Sequence, residues 1–222
     1  MSSFTADFKR AEVCPSPNHG ERVGVERPDI LLLHYTGMPS AEGAQAWLCA
    51  PESQVSSHYL VHEDGRVVQM VPESRRAWHA GKSIWGGETD INSRSIGIEI
   101  ANAGHPAGLP DFPEKQIESV IELCLECVNR HGIAPERVLA HSDVAPIRKV
   151  DPGENFPWGA LAVAGVGHWV APSPSDPIVA FSEASLPASR PSIIATSASV
   201  TPRSAARSRL TSMRSSGLFS RR

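Results

Sequence analysis

Ile30-Leu31-Leu32-Leu33-His34-Tyr35 is a short apolar run that ends in an imidazole and a phenol. Pro28-Asp29 precede it and Thr36-Gly37 follow it. Turn-forming residues on both sides, and a length too short for a helix, make the run a buried strand. The same order, strand and then histidine, recurs where Val138-Leu139-Ala140 leads straight into His141. A third strand is predicted over Ser95–Asn102, where Ile96, Ile98 and Ile100 face one way and Gly97 and Glu99 the other.

The second of these histidines opens the run His141-Ser142-Asp143-Val144-Ala145-Pro146-Ile147-Arg148-Lys149-Val150-Asp151-Pro152-Gly153. It places an imidazole, an ammonium and a carboxylate within eleven residues and ends in a turn. Imidazole nitrogen and carboxylate oxygen are both zinc ligands. A lysine between two ligands opposes the charge of a structural cation, but it suits a site where negative charge develops during a reaction. His34 can supply the missing ligand. Two histidines and one carboxylate with an open fourth position is the pattern of a catalytic zinc. Taken alone, His34 reads more readily as a core histidine, and the alternative for the 141–153 run is a polar surface loop; their joint occurrence favours the metal reading.

Glu99 lies mid-strand on the face it shares with Gly97. A carboxylate there is costly unless it is paired or bound, and the missing side chain at Gly97 leaves room for a ligand. That reading makes Glu99 a general base, its proton affinity set by burial and a nearby cation; the alternative is a surface glutamate on an edge strand. Cys124 and Cys127 form a C-x-x-C, but they sit inside a strong helix pattern with no second ligand pair, so both read as structural. His58, His62, His79 and His105 read equally as ordinary histidines, with His79 and His58 the two placed to face substrate.

Around these motifs, Ser40 is expected to cap a short helix carrying Ala44, Trp47 and Leu48 on one side. Segments 58–62 and 67–71 flank Glu63-Asp64-Gly65-Arg66 as a hairpin. Residues 74–92 form a long irregular stretch, and loops of that length in a compact domain tend to be functional. Glu114–Arg130 carries an i, i+3, i+4, i+7 stripe of Ile117, Val120, Ile121, Cys124, Leu125 and Val128, closed by Gly132.

The chain of 222 residues divides by composition. Residues 1–29 are an irregular lead-in, 30–170 a catalytic-sized domain, and 171–222 a Ser/Arg/Pro-rich tail with 14 serines, expected either to be disordered or to be non-native sequence. The tail has seven arginines against Asp176 and Glu183; with a net charge of −3 overall, residues 1–170 carry −8. An acidic body argues against a nucleic-acid partner. The N-terminus lacks a signal-peptide pattern and there is no apolar stretch of membrane-spanning length. With four cysteines in no disulfide-framework spacing, a cytoplasmic protein with reduced thiols is expected.

Five ordered blocks carry a resemblance: His34-Tyr35-Thr36-Gly37, Ser57-His58-Tyr59, Ala77-Trp78-His79-Ala80-Gly81, Ser95–Ile100 and His141–Gly153. In these the chain resembles the type 2 family of zinc-dependent N-acetylmuramoyl-L-alanine amidases, which also includes phage amidases and peptidoglycan recognition proteins. The resemblance spans about residues 20–170. It implies an α/β domain with a mixed central sheet flanked by helices and a single zinc held by His34, His141 and Asp151. Glu99 would be the acid/base and Lys149 the group that stabilises the transition state. Ser57 stands where some relatives have a catalytic tyrosine, which places the chain with the glutamate-using branch. His79 and Trp85 fall in the block resembling the substrate-groove loop. The implied partner is a muropeptide or peptidoglycan fragment; oligomeric state and the choice between soluble and polymeric substrate stay open, as does a non-catalytic recognition module.

Overall fold

A computed structural model describes residues 4–170; the expectation for the 171–222 tail lies outside the described residues. In chain order the strands are β1 (Glu12–Val13), β2 (His19–Gly20), β3 (Ile30–Tyr35), β4 (Tyr59–Val61), β5 (Val67–Gln69), β6 (Arg76–Ala77), β7 (Ser95–Ile100) and β8 (Val138–Ala140). The helices are α1 (Ala41–Leu48), α2 (Ile91–Arg94), α3 (Glu114–His131), α4 (His141–Val144) and α5 (Trp158–Val163).

Six strands form one sheet in the order β1-β5-β4-β7-β3-β8, and β2 pairs with β6 beside it. Within the large sheet β4 and β5 run antiparallel, the expected hairpin, and the other pairings are parallel. The sheet is therefore mixed, as the resemblance implied. Its centre is β3 against β7, paired from Ile30↔Ser95 to Tyr35↔Ile100. Strands flanked on both sides and covered on both faces must be apolar throughout, which is why β3 reads as a continuous run.

The alternation in β7 sorts its residues as expected. Ile96, Ile98 and Ile100 join Leu31 and Leu33 in the main core under α3 and α5. Each fully buried side chain of this kind stabilises the fold by roughly 1.5–3 kcal/mol. The opposite face holds two smaller clusters, Ile30 and Leu32 with Ile91 and Val144, and Leu60, Val68 and Met70 with α1. Helix α3 buries Val120, Leu123, Cys124 and Cys127, so both cysteines are core residues. Gly132 ends it at φ +67, a left-handed cap in which glycine avoids the strain a side chain would bring.

Three local expectations change. Ser40 does cap α1 by accepting from the Gly43 N–H, but only Ala41, Ala44 and Leu48 lie against the sheet, and Trp47 is 47% exposed. An eight-residue helix rests one edge on the sheet, and Trp47 lies about 100° round the axis from Leu48. The lead-in is not wholly irregular: β1 adds an edge strand beside β5, β2 pairs with β6, and Phe8 enters the core. The 74–92 stretch likewise contains β6 and the start of α2. Strands two residues long carry no readable period.

A buried ionic cluster ties these parts together. Glu73, 2% exposed, accepts hydrogen bonds from Tyr59 Oη (2.6 Å), Arg130 Nη1 (2.6 and 2.8 Å) and His131 Nε2 (2.6 Å). Arg130 also donates to the Asp7 carbonyl (2.9 Å), fastening the N-terminal segment to the end of α3. Burial alone would raise the Glu73 pKa; the bonds from His131, Tyr59 and Arg130 outweigh it and lower it to about 2. A depressed carboxylate pKa stabilises the fold above the ordinary value of 4.5, and that stability is lost as pH falls towards about 2. Glu73→Gln is expected to lower stability near neutrality by about 3 kcal/mol and to flatten the acid-side slope. Urea unfolding followed by tryptophan fluorescence over that pH range checks it, and parallel slopes for wild type and variant would refute it.

Candidate active site

The strand register assembles the site. His34 and Glu99 are direct partners across β3 and β7. β8 pairs with β3 up to Leu33↔Ala140, so His141, the next residue, arrives level with His34. The carboxyl ends of three adjacent parallel strands thus bring two imidazoles and a carboxyl to one level, the position where open α/β sheets bind ligands. The chain then turns through α4 and returns Lys149 and Asp151 to the same place. The Ser142 N–H donates to the Asp151 carbonyl (3.1 Å), the Lys149 N–H to the Ala145 carbonyl (2.9 Å), and the Ala140 N–H to the Asp143 carboxylate (2.8 Å).

His34 Nδ1, His141 Nδ1 and Asp151 Oδ2 form a near-equilateral triangle with sides of 2.9, 3.1 and 3.0 Å. All three residues are buried. Among the described residues this is the one group of three side chains that could hold a metal ion. A tetrahedral ion with bonds of about 2.0 Å needs donor–donor spacings of about 3.3 Å, close to those seen. Burial, and then His141, lower the His34 pKa to about 4, which leaves the lone pair a cation needs. Burial works against ionisation of Asp151, but the close contacts with His141 and His34 outweigh it and hold the carboxyl well below the usual range. The donor set of two imidazoles and a carboxylate therefore fits a divalent metal.

Glu99 is placed beside this triangle and in the opposite electrostatic state. Burial and then the Asp151 charge push its pKa up to about 8, opposed by Lys149. Its Oε2 is buried with no hydrogen-bond partner among the described residues. Such an oxygen is costly to leave unpaired and is what a site awaiting a water or a substrate proton presents.

Glu99, Lys149, His34, His141 and Asp151 all line one cavity of about 260 Å³. Its other wall is apolar, built from Met38, Trp47, Val55 and Trp78. That placement accounts for the exposure of Trp47. Of the residues expected to meet substrate, His79 lines this cavity while also touching His34, its Nδ1 3.0 Å from His34 Nε2. His58 is not brought to the cavity: it is fully buried behind it, accepting from the Gly97 N–H (2.9 Å) and bonded to the Arg75 carbonyl (3.0 Å). Trp85 packs against the Ile30–Leu32 cluster, also away from the cavity. The sequence reading missed Met38, Val55 and Trp78, and also Asn92 and Arg148, which organise the 78–82 loop. Arg148 donates to the carbonyls of Ala80 (2.7 Å) and Lys82 (2.9 Å). Trp78 was signalled only by its place in the Ala77–Gly81 block.

An α/β domain with two imidazoles and a carboxylate converging at its strand ends has the arrangement of a candidate metal site. The chain belongs to the N-acetylmuramoyl-L-alanine amidase family, whose sequence pattern matches residues 24–154. It is 43% identical over 155 residues to the N-acetylmuramoyl-L-alanine amidase AmiD of Escherichia coli K12, covering 64% of this chain and 55% of AmiD. It is 32% identical over 161 residues to the 1,6-anhydro-N-acetylmuramyl-L-alanine amidase AmpD of Enterobacter cloacae, covering 65% of this chain and 84% of AmpD. In three dimensions it matches the complex of Escherichia coli AmiD with the substrate anhydro-N-acetylmuramic acid-L-Ala-D-gamma-Glu-L-Lys. That match has a TM-score of 0.61 at 37% identity and covers 77% of this chain and 73% of the AmiD chain. The chain thus spans just over half the length of AmiD and most of AmpD.

A carboxyl whose pKa is raised on folding costs stability once pH exceeds its ordinary value of 4.5, and the cost is complete above about 8. In metal-free protein, Glu99→Gln is therefore expected to gain on wild type as pH rises through this window, by on the order of 3 kcal/mol, and to converge with it below. Melting temperatures against pH test this; a constant difference would contradict a Glu99 carboxyl whose pKa rises on folding.

Proposed function

We propose that residues 30–170 form a zinc amidase domain that hydrolyses the amide between the lactyl group of N-acetylmuramic acid and L-alanine in anhydro-muropeptides, in cell-wall turnover. The observation that carries this reading is the convergence of the His34–His141–Asp151 triangle with Glu99 and Lys149 in one cavity. Family membership and the substrate bound to AmiD support the choice of bond and substrate class.

His34, His141 and Asp151 would hold the ion. When bound, zinc supplies Lewis acidity, polarising the scissile carbonyl and acidifying an attacking water. In its ionised form, which Lys149 and a bound cation would favour, Glu99 accepts a proton from that water as the water oxygen bonds to the lactyl carbonyl carbon. Lys149, on the same cavity wall, stabilises the negative charge that develops on the carbonyl oxygen, a contribution on the order of 3 kcal/mol. Glu99 then delivers its proton to the alanine nitrogen as the carbon–nitrogen bond breaks. The products are the lactyl carboxylic acid on the sugar and the free stem peptide. The apolar wall of Met38, Trp47, Val55 and Trp78 offers the muropeptide a face to lie against.

No described helix is long and apolar enough to cross a membrane. We assign the reaction to the cytoplasm, in keeping with four free thiols. Cys14 and Cys49, with sulfurs 3.4 Å apart, report on this: both should titrate as thiols in protein taken directly from cells, and a Cys14–Cys49 disulfide there would contradict the assignment.

Zinc-loaded protein incubated with an anhydro-muropeptide is expected to release free stem peptide, detected by mass spectrometry, and to stop when a chelator is added. Glu99→Ala should lower turnover by at least about 100-fold with zinc retained, whereas Asp151→Ala should lose zinc as well. Binding without cleavage by zinc-loaded wild type would replace this reading with a recognition module.

A further inference from the structure

A histidine that offers Nδ1 to a metal must carry its proton on Nε2, and whatever accepts that proton fixes the ring. Both histidines of the triangle present Nδ1 inward. His141 has an evident outer partner, for its Nε2–H donates to the Ala80 carbonyl (3.0 Å).

The outer nitrogen of His34 meets not a carbonyl or a carboxylate but another imidazole, His79 Nδ1 at 3.0 Å, and proton positions along the chain beyond it are fixed from its far end. The Ser95 hydroxyl donates to the Ile91 carbonyl (2.6 Å), which commits its one proton. Its oxygen is then left to accept from His79 Nε2–H, 3.3 Å away. With its proton on Nε2, His79 has a bare Nδ1, and that atom accepts from His34 Nε2–H. His34 Nδ1 is therefore left as a lone pair aimed at the centre of the triangle.

The placement of His79 is built in from two directions. A Cβ at Gly97 would lie 2.6 Å from its ring, so the ring rests on the sheet where β7 has no side chain. Buried Asn92 accepts on one oxygen from the His79 N–H (3.0 Å) and the Ala80 N–H (2.8 Å). One amide thus pins the short stretch of backbone that supplies the outer partners of both histidines.

We propose that His79 is a positioning residue for the metal: by accepting the Nε2 proton of His34 it selects the tautomer and ring angle that direct Nδ1 to the ion. This rests on the metal reading given above. Both nitrogens of His79 are committed, so it has none left to bond a substrate.

Zinc affinity, measured by competition with a chromophoric chelator, tests this without reference to activity. His79→Ala is expected to weaken zinc binding by about 10–100-fold. His79→Asn should recover most of the loss, since its Oδ1 can accept where Nδ1 did. In cobalt-substituted protein, the visible absorption bands should shift in the alanine variant and return in the asparagine variant, with circular dichroism confirming that both are folded. Unchanged affinity in His79→Ala would overturn the proposal. Equal weakening in the alanine and asparagine variants would also overturn it, leaving a packing role. Failure of wild type to bind zinc would instead remove the metal reading and this inference together.

Discussion

The parallel register of β7, β3 and β8 is the constraint on which the rest of this structure depends. His34 opposite Glu99, and His141 one step beyond Ala140↔Leu33, are consequences of backbone pairing, not of side-chain preference. A one-residue slip of β7 would turn Glu99 into the core under α3 and place an isoleucine beside His34. The hydrophobic alternation of Ile96, Ile98 and Ile100 prevents that slip, because it would expose three buried side chains. The same apolar residues that build the core therefore also aim the site.

Two carboxyls then share one cavity with opposite fates. Asp151 sets one oxygen 3.0–3.1 Å from two imidazole nitrogens and stays ionised. Glu99 has one oxygen with no partner and holds its proton far above the ordinary range. Separated proton affinities of this kind are what assign roles in a hydrolytic site. The first carboxyl is suited to hold a cation and the second to carry a proton. Lys149 is the cation that opposes the rise in Glu99 and approaches the same space, so it couples the two.

Much of this was legible in the chain. The apolar run of β3, the alternation of β7 and the stripe of α3 each have a period long enough to read, and the triangle's two histidines stand at strand ends that the pattern marks. What could not be read came from contacts without a period. The two-residue strands β1, β2 and β6 are fixed only by their partners. Trp47 belongs to an apolar pattern, yet it turns towards the cavity because α1 is short. Glu73 looks like a loop glutamate, and only folding brings Arg130 and His131 to it across nearly sixty residues. His79 reads as a residue facing substrate, and its bond to His34 depends on the bare surface at Gly97.

On the reading proposed above, His34 Nδ1, His141 Nδ1 and Asp151 Oδ2 define one metal position at the strand ends. Anomalous diffraction at the zinc edge, from crystals grown with zinc, tests it most directly. One strong peak is expected in this domain, about 2.0–2.2 Å from His34 Nδ1, His141 Nδ1 and Asp151 Oδ2, with Glu99 outside bonding distance. A peak held through either Nε2 atom, one ligated by Glu99, or none within the triangle would contradict it.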